Sequence, residues 1–285
     1  MESQEFSESI VEGIVTLPTI PLILSALNKA ISNPESSASD IASIISRDPP
    51  TATKVLRLAN SAYYGLRSKV NTINHAVTML GFNIIRNLVL TATVFDISTK
   101  NNIAGLFDME KFWRHSLGVA VAARIIARET FPKAVNLGDE FFICGLLHDL
   151  GKIILGEHVQ KKFEEALLSS RDRSIPLFEA EGDVIGCTHA QVGGVLAKRW
   201  SLSGGVIAAV GHHHIPLEAP DEHVKYAAIA HLADIFTRAK QVGAGGGADP
   251  ELDQPAWEVL GLSNRKIPAM LEEVDKSLAM EELAI

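Results

Sequence analysis

Cysteine is scarce. The 285-residue chain has two, Cys144 and Cys187, both in apolar surroundings. Two such residues build neither a disulfide framework nor a cysteine-rich zinc motif, and they are expected as reduced core thiols of a cytosolic protein. Long apolar runs are missing as well. None reaches the roughly 18–20 residues that a membrane span needs. The opening Met1-Glu2-Ser3-Gln4-Glu5 is acidic and polar, which is not a signal-peptide pattern. A cytoplasmic protein without a membrane partner is expected. An excess of positive charge is also lacking: the net charge is −8, which argues against a general nucleic-acid partner. The alternating polarity of strands does not appear along residues 1–100, and no internal repeat is evident.

What is present is helical periodicity in an ordinary globular composition, 47% hydrophobic and 21% charged. The fold class expected is all-α, with two packed helical lobes. Residues 1–100 form an N-terminal lobe. It has an extended entry at Leu17-Pro18-Thr19-Ile20-Pro21, helices over 22–32, 41–46 and 51–60, a break at Asp48-Pro49-Pro50, and further helices to Ile97. Residues 47–100 carry seven Lys/Arg against Asp48 and Asp96, a local basic excess read mainly as the solvated side of helices. Residues 101–240 form the second lobe, with helices over 112–128, from Asp139 to His148, over 153–170, from Thr188, over 203–209 and over 226–238. Residues 241–255 read as a flexible linker by their Gly, Ala and Pro content. Residues 256–285 return to helix and are open to packing on the core or to homodimer formation.

The second lobe also holds the histidines. Nine of ten lie between His115 and His231. An apolar helix starting near Phe141 runs into His148-Asp149 and stops, with Lys152 three residues on. Imidazole nitrogen and carboxylate oxygen together suit first-row divalent ions. One His-Asp pair is commonplace, and it is the surrounding inventory that gives it weight: His115, His189, the run His212-His213-His214, and Asp234. Five His and two Asp exceed the three or four ligands of a single ion and suit two, with Asp149 as a bridge. Seven ionisable groups in an apolar helical lobe are costly to bury unless paired or metal-bound. His75, His158 and His223 read as surface or satisfied histidines. His231, three residues before Asp234 on the same face, reads equally well as core or as a support for a ligand.

Two resemblances add to this. Leu17-Pro18-x-x-Pro21, Ser46-Arg47-Asp48-Pro49, Leu56-Arg57-Leu58-Ala59-Asn60-Ser61-Ala62-Tyr63-Tyr64-Gly65 and Ala76-Val77-x-x-Leu80-Gly81 resemble the HDOD (HD-related output domain) family of bacterial signalling proteins, from about residue 12 to at least 235. The spaced His, His-Asp, Asp order resembles the HD metallophosphohydrolase superfamily, and the extra histidines resemble its HD-GYP branch. The resemblance implies an HD-like helical bundle for the second lobe. It implies a metal set of His115, His148, Asp149 and Asp234, and a second-metal set of His189, His213 and His214. The pair is placed at 213–214 because His-His-x-Pro matches the HDOD pattern. Lys152 matches the lysine that meets a phosphate. The implied cofactor is a pair of divalent transition metals, iron first, then manganese, zinc or nickel. The implied role is a signal-transduction output module with a regulatory protein partner or a nucleotide ligand. The alternative is a metal-dependent phosphohydrolase or phosphodiesterase acting on a nucleotide, with His148, Asp149 and Lys152 catalytic. His214 is followed by Ile215-Pro216 and no Gly-Tyr-Pro occurs, which departs from the cyclic-dinucleotide hydrolases of the HD-GYP branch.

Overall fold

A computed structural model of the chain describes residues 22–60, 64, 66, 68–99, 108–133, 138–243 and 251–282. The Leu17–Pro21 entry, Ser61-Ala62-Tyr63, Gly65 and the centre of the expected linker, 244–250, lie outside the described residues. Among the described residues there is no strand, and the fold is all-α. No described helix is long and apolar enough to cross a membrane. Two compact units divide the chain. One comprises residues 18–100 with 276–285, the other residues 1–17 with 101–275.

The first unit contains α1 (Leu22–Ile31), α2 (Ala38–Ser46), α3 (Pro49–Ala59), α4 (Ile73–Leu80) and α5 (Phe82–Thr99). Ser37 opens α2 with a capping box, its side chain accepting from Asp40 N–H while Asp40 accepts from Ser37 N–H. The two prolines that read as a break sit in the first turn of α3. Proline has no N–H to donate, and the first helical turn has no partner for one, so the same residues end one helix and begin the next. Asn60 ends α3 and closes the loop to α4. Its side-chain amide donates to Val70 C=O and accepts from Val70 N–H, both at 2.8 Å. The core beneath is aliphatic: Leu27, Ile41, Ile45, Val55, Val77, Ile85 and Val89.

The second unit contains α6 (Met109–Thr130), α7 (Gly138–Leu147), α8 (Leu150–His158), α9 (Gln160–Arg173), α10 (Leu177–Val184), α11 (His189–Arg199), α12 (Gly204–His212), α13 (Val224–Ala239), α14 (Gln254–Leu260) and the start of α15 (Ile267–Glu282). The continuous helix expected over 153–170 is two helices. The chain bends at Val159 (φ −126°, ψ 38°), and α9 leaves in a new direction. Helix α6 packs on α7 and α13, α11 packs on α8 and α12, and α12 packs on α13. Thirteen residues of α6 are buried, Phe112 through Ala127, so it serves as the central post. The C-terminal residues through Asp275 belong to this unit. Trp257 of α14 is buried, and Lys266 pairs with Glu129 of α6 at 2.7 Å.

Candidate metal centre

The helices of the second unit and the breaks between them bring all seven sequence-derived side chains together. His115 projects from α6. His148 and Asp149 form the two-residue break between α7 and α8. His189 is the first residue of α11, His213 and His214 follow α12, and Asp234 comes from α13. Six of them are essentially sealed, with exposures of 0–2%, and His214 is part-buried. His189 is placed by a capping box, Thr188 with Gln191. Glycines permit the convergence. A Cβ on Gly145 would meet Val119 C=O of α6 at 2.5 Å, so α7 approaches α6 backbone to backbone and carries His148 toward His115.

Asp149 is the hub. It caps α8 by position yet makes no side-chain capping bond. Its two oxygens face different histidines instead. Oδ1 lies 3.1 Å from His189 Nε2 and 3.7 Å from His213 Nε2. Oδ2 lies 3.3 Å from His148 Nε2 and 3.9 Å from His115 Nε2. Asp234 Oδ1 is 2.9 Å from His115 Nε2, and His214 Nε2 is 2.9 Å from His189 Nε2. Two donor groups result, His115-His148-Asp149 and Asp149-His189-His213-His214, each with its ligand atoms within 4.8 Å of one another.

The far side of each ring decides what the near side can do. His148 Nδ1 is 2.7 Å from Gly145 C=O, His213 Nδ1 is 3.0 Å from Val210 C=O, and His189 Nδ1 is 2.7 Å from Glu181 Oε2. Carbonyls and ionised carboxylates only accept, so these Nδ1 atoms carry the proton and donate it. In the neutral rings Nε2 is then a lone pair, aimed at a carboxylate that is itself an acceptor. The contacts are not aligned as hydrogen bonds: Nε2 of His115, His148 and His213, and Oδ1 of Asp149, are buried without a hydrogen-bond partner. Leaving such groups unmet costs about 1–3 kcal/mol each. A shared cation removes the conflict. Two ligands about 2.1 Å from one ion lie about 3.0–3.5 Å apart at octahedral or tetrahedral angles; the His189 and His148 distances to Asp149 fall in that range, and the other four lie within about 0.4 Å of it. The donor set therefore fits a divalent metal.

The electrostatics agree. Burial pushes the Asp149 carboxyl up, but His148 and Lys152 outweigh it and hold the group well below the usual carboxylate range. For Asp234 burial is again opposed, here by Arg238 and His115, and the result is also well below. Burial drives His213 and His214 well below the ordinary imidazole value, reinforced by neighbouring histidines, and lowers His115. His189 moves the other way: burial lowers it, but Glu181 outweighs burial and the group is raised. Ionised carboxylates beside neutral imidazoles are the protonation states a metal requires; Asp149, Asp234, His115, His213 and His214 are shifted toward them, and His189 is shifted away.

Lys152 lies inside the site, beside the hub. It is 1% exposed, and its Nζ lies 2.6 Å from Asp149 Oδ2, held against the hub carboxylate. Of four supports around the site, the sequence pointed to His231 and missed Arg238, Glu181 and Phe178. Arg238 donates to Asp234 Oδ1 at 2.9 Å, an i,i+4 pairing visible in the sequence. His231, open between two roles in the sequence, donates from Nδ1 to His213 C=O at 2.8 Å and accepts from Asp253 N–H at 3.0 Å. Glu181 and Phe178 come from α10, a different helix from either histidine they touch, so no spacing could have pointed to them.

A family model for the HDOD domain matches residues 17–216. The chain belongs to the HDOD family. The match stops before His231 and Asp234. A crystal structure of an HDOD domain protein from Geobacter sulfurreducens superposes with a TM-score of 0.77 at 25% identity, covering 97% of this chain and 98% of that one. A protein of Shewanella amazonensis SB2B whose phosphohydrolase name is itself an inference shares the fold, with a TM-score of 0.73 at 22% identity over 99% of both chains. An uncharacterized protein of Treponema pallidum (strain Nichols) is 28% identical over 223 residues, 78% of this HDOD chain. The chain spans 42% of that relative's length.

Proposed function

We propose that this HDOD chain is a cytoplasmic signal-transduction output module built around a dinuclear divalent metal centre, with iron as the first candidate ion. The observation that carries the metal reading is the hub. Each Asp149 oxygen faces its own group of histidines, and the Nδ1 protons of three of these are already committed elsewhere. His115, His148, Asp149 and Asp234 would hold one ion. Asp149, His189, His213 and His214 would hold the other. Six of the seven donors are sealed, and Phe178 lies against the ring of the seventh, His214, at 4.3 Å between centroids. A closed, protein-liganded site favours a sensory or structural ion over a reacting one. The output would pass to a regulatory protein or respond to a nucleotide.

A second reading, a metal-dependent phosphohydrolase or phosphodiesterase acting on a nucleotide, is supported by the same donor set and by the incomplete burial of His214. Bound divalent ions would supply an activated water and charge neutralisation at phosphoryl oxygens. Of this chain's residues, His148 and Asp149 would organise that chemistry. Lys152, whose Nζ lies 2.6 Å from Asp149 Oδ2, would position that carboxylate and place a positive charge beside the phosphoryl group.

Elemental analysis tests the first claim. Protein purified without chelator should carry close to two equivalents of transition metal, and His148→Ala/Asp149→Ala should carry none. No metal in either protein would sink the reading. A phosphatase and phosphodiesterase assay with added manganese or iron(II) separates the two roles: equal background rates in wild type and the double variant remove the enzyme.

A further inference from the structure

Helix α10 touches the centre at two points, one turn apart. Glu181 is 0% exposed, and its Oε2 accepts both from His189 Nδ1 and from His189 backbone N–H, each at 2.7 Å. One carboxylate oxygen thereby fixes the ring and the first residue of α11. The other oxygen, Oε1, is buried without a hydrogen-bond partner. Three residues earlier, Phe178 stacks on His214 with the ring planes 18° apart. His189 and His214 are the two histidines whose Nε2 atoms meet at 2.9 Å. Both contacts fall on one donor group. The positioning contacts described for the other group come from elsewhere: Gly145 C=O holds His148, and Arg238 holds Asp234.

Resting on the metal reading above, we infer that α10 is a clamp specific to the His189-His213-His214 ion, with Glu181 its positioning residue. The two ions are then inequivalent. A histidine whose far nitrogen donates to a carboxylate is a stronger and better oriented ligand, and losing such a partner typically costs about 10–100-fold in metal affinity. Charge matters as much as shape. Glutamine would keep the size, and its amide oxygen could still accept from both N–H groups, but it would not supply the full negative charge that the imidazole leans on.

The chain around α10 suits a clamp. Ser174 before it (φ 53°) and Gly186 after it (φ 94°) both adopt the left-handed region, so the helix is bounded by sharp turns on each side. Phe178 is only part-buried, which places the aromatic contact at the outer side of the site.

The test is titration of metal-stripped full-length protein with cobalt(II), followed by d–d absorption and isothermal calorimetry. Wild type should take up two equivalents. Glu181→Gln should bind the first with unchanged affinity and the second about 10–100-fold more weakly, with an altered absorption spectrum for that second ion only. Phe178→Ala, at a part-buried position, should weaken the same equivalent by about 2–10-fold. A second equivalent as tight in Glu181→Gln and Phe178→Ala as in wild type would overturn the clamp. So would equal weakening of both ions, which would mean a general structural role. Wild type that takes up no cobalt overturns the metal reading itself, and the clamp with it.

Discussion

Gly151 lies so near His189 that a Cβ on it would stand 1.9 Å from the His189 carbonyl oxygen. Helices α8 and α11 therefore meet backbone to backbone, and Asp149, two residues before Gly151, is delivered to His189 by that contact. Gly151→Ala should push the two helices apart. Overpacking in a sealed core costs typically about 1–3 kcal/mol, and here the oxygen it meets is main chain and cannot rotate away. Chemical denaturation should show a loss at or above that range, together with weakened metal uptake. A variant with wild-type stability and wild-type metal content would refute this account of how the hub is placed.

His231 joins two segments that are distant in sequence. Its ring donates to His213 C=O and accepts from Asp253 N–H, and Asp253 caps α14 through Ala256 N–H. His231→Leu should leave His213 C=O buried and unmet, at about 1–3 kcal/mol, and remove the acceptor of the part-buried Asp253 N–H. Hydrogen exchange should then speed up at Asp253 and through the first turn of α14. Unchanged protection there would mean that α14 does not depend on this ring.

Both thiols should be silent near neutrality. Burial, with Glu181 nearby, pushes the Cys187 thiol up to about 11, and burial with Glu140 raises Cys144 well above the ordinary value. The thiolate is the reactive form. A raised value means that the folded chain holds the proton more tightly than the unfolded chain. This contribution to stability is present below the unfolded thiol value and is lost as pH rises through about 11 for Cys187. At pH 8 a disulfide reagent should titrate two thiols in concentrated guanidinium and essentially none in native protein. Rapid native labelling of either would contradict the burial.

Chelation should destabilise the protein. An ion present at 100 times its dissociation constant adds about 2.7 kcal/mol to a folded state that alone binds it. For a domain of this size that is about 5–10 °C in melting temperature. Calorimetric scans with and without chelator should differ by this amount in wild type and coincide in Asp149→Asn. Coincident scans in wild type would argue against a resident ion.

The sequence alone determined the helical class and singled out the seven side chains that the fold brings together. Helical periodicity is local, and His and Asp are rare enough inside apolar helices for their clustering along the chain to be read directly. Local signals also misled. Pro49 and Pro50 read as a break because their effect on the preceding helix is visible, while their place in the first turn of α3 depends on the helical residues after them, Thr51 to Ala59. The run 153–170 read as one helix because its periodicity continues through Val159. Only the tertiary structure decided how the donors divide. That Asp149 turns one oxygen to His189 and His213 and the other to His148 and His115 depends on α6, α7, α8 and α11 meeting at glycines, a matter of close approach that no spacing encodes. Glu181, Phe178 and the burial of Lys152 belong to the same class. Each acts across helices, so the packing that juxtaposes them exists only once the chain has folded.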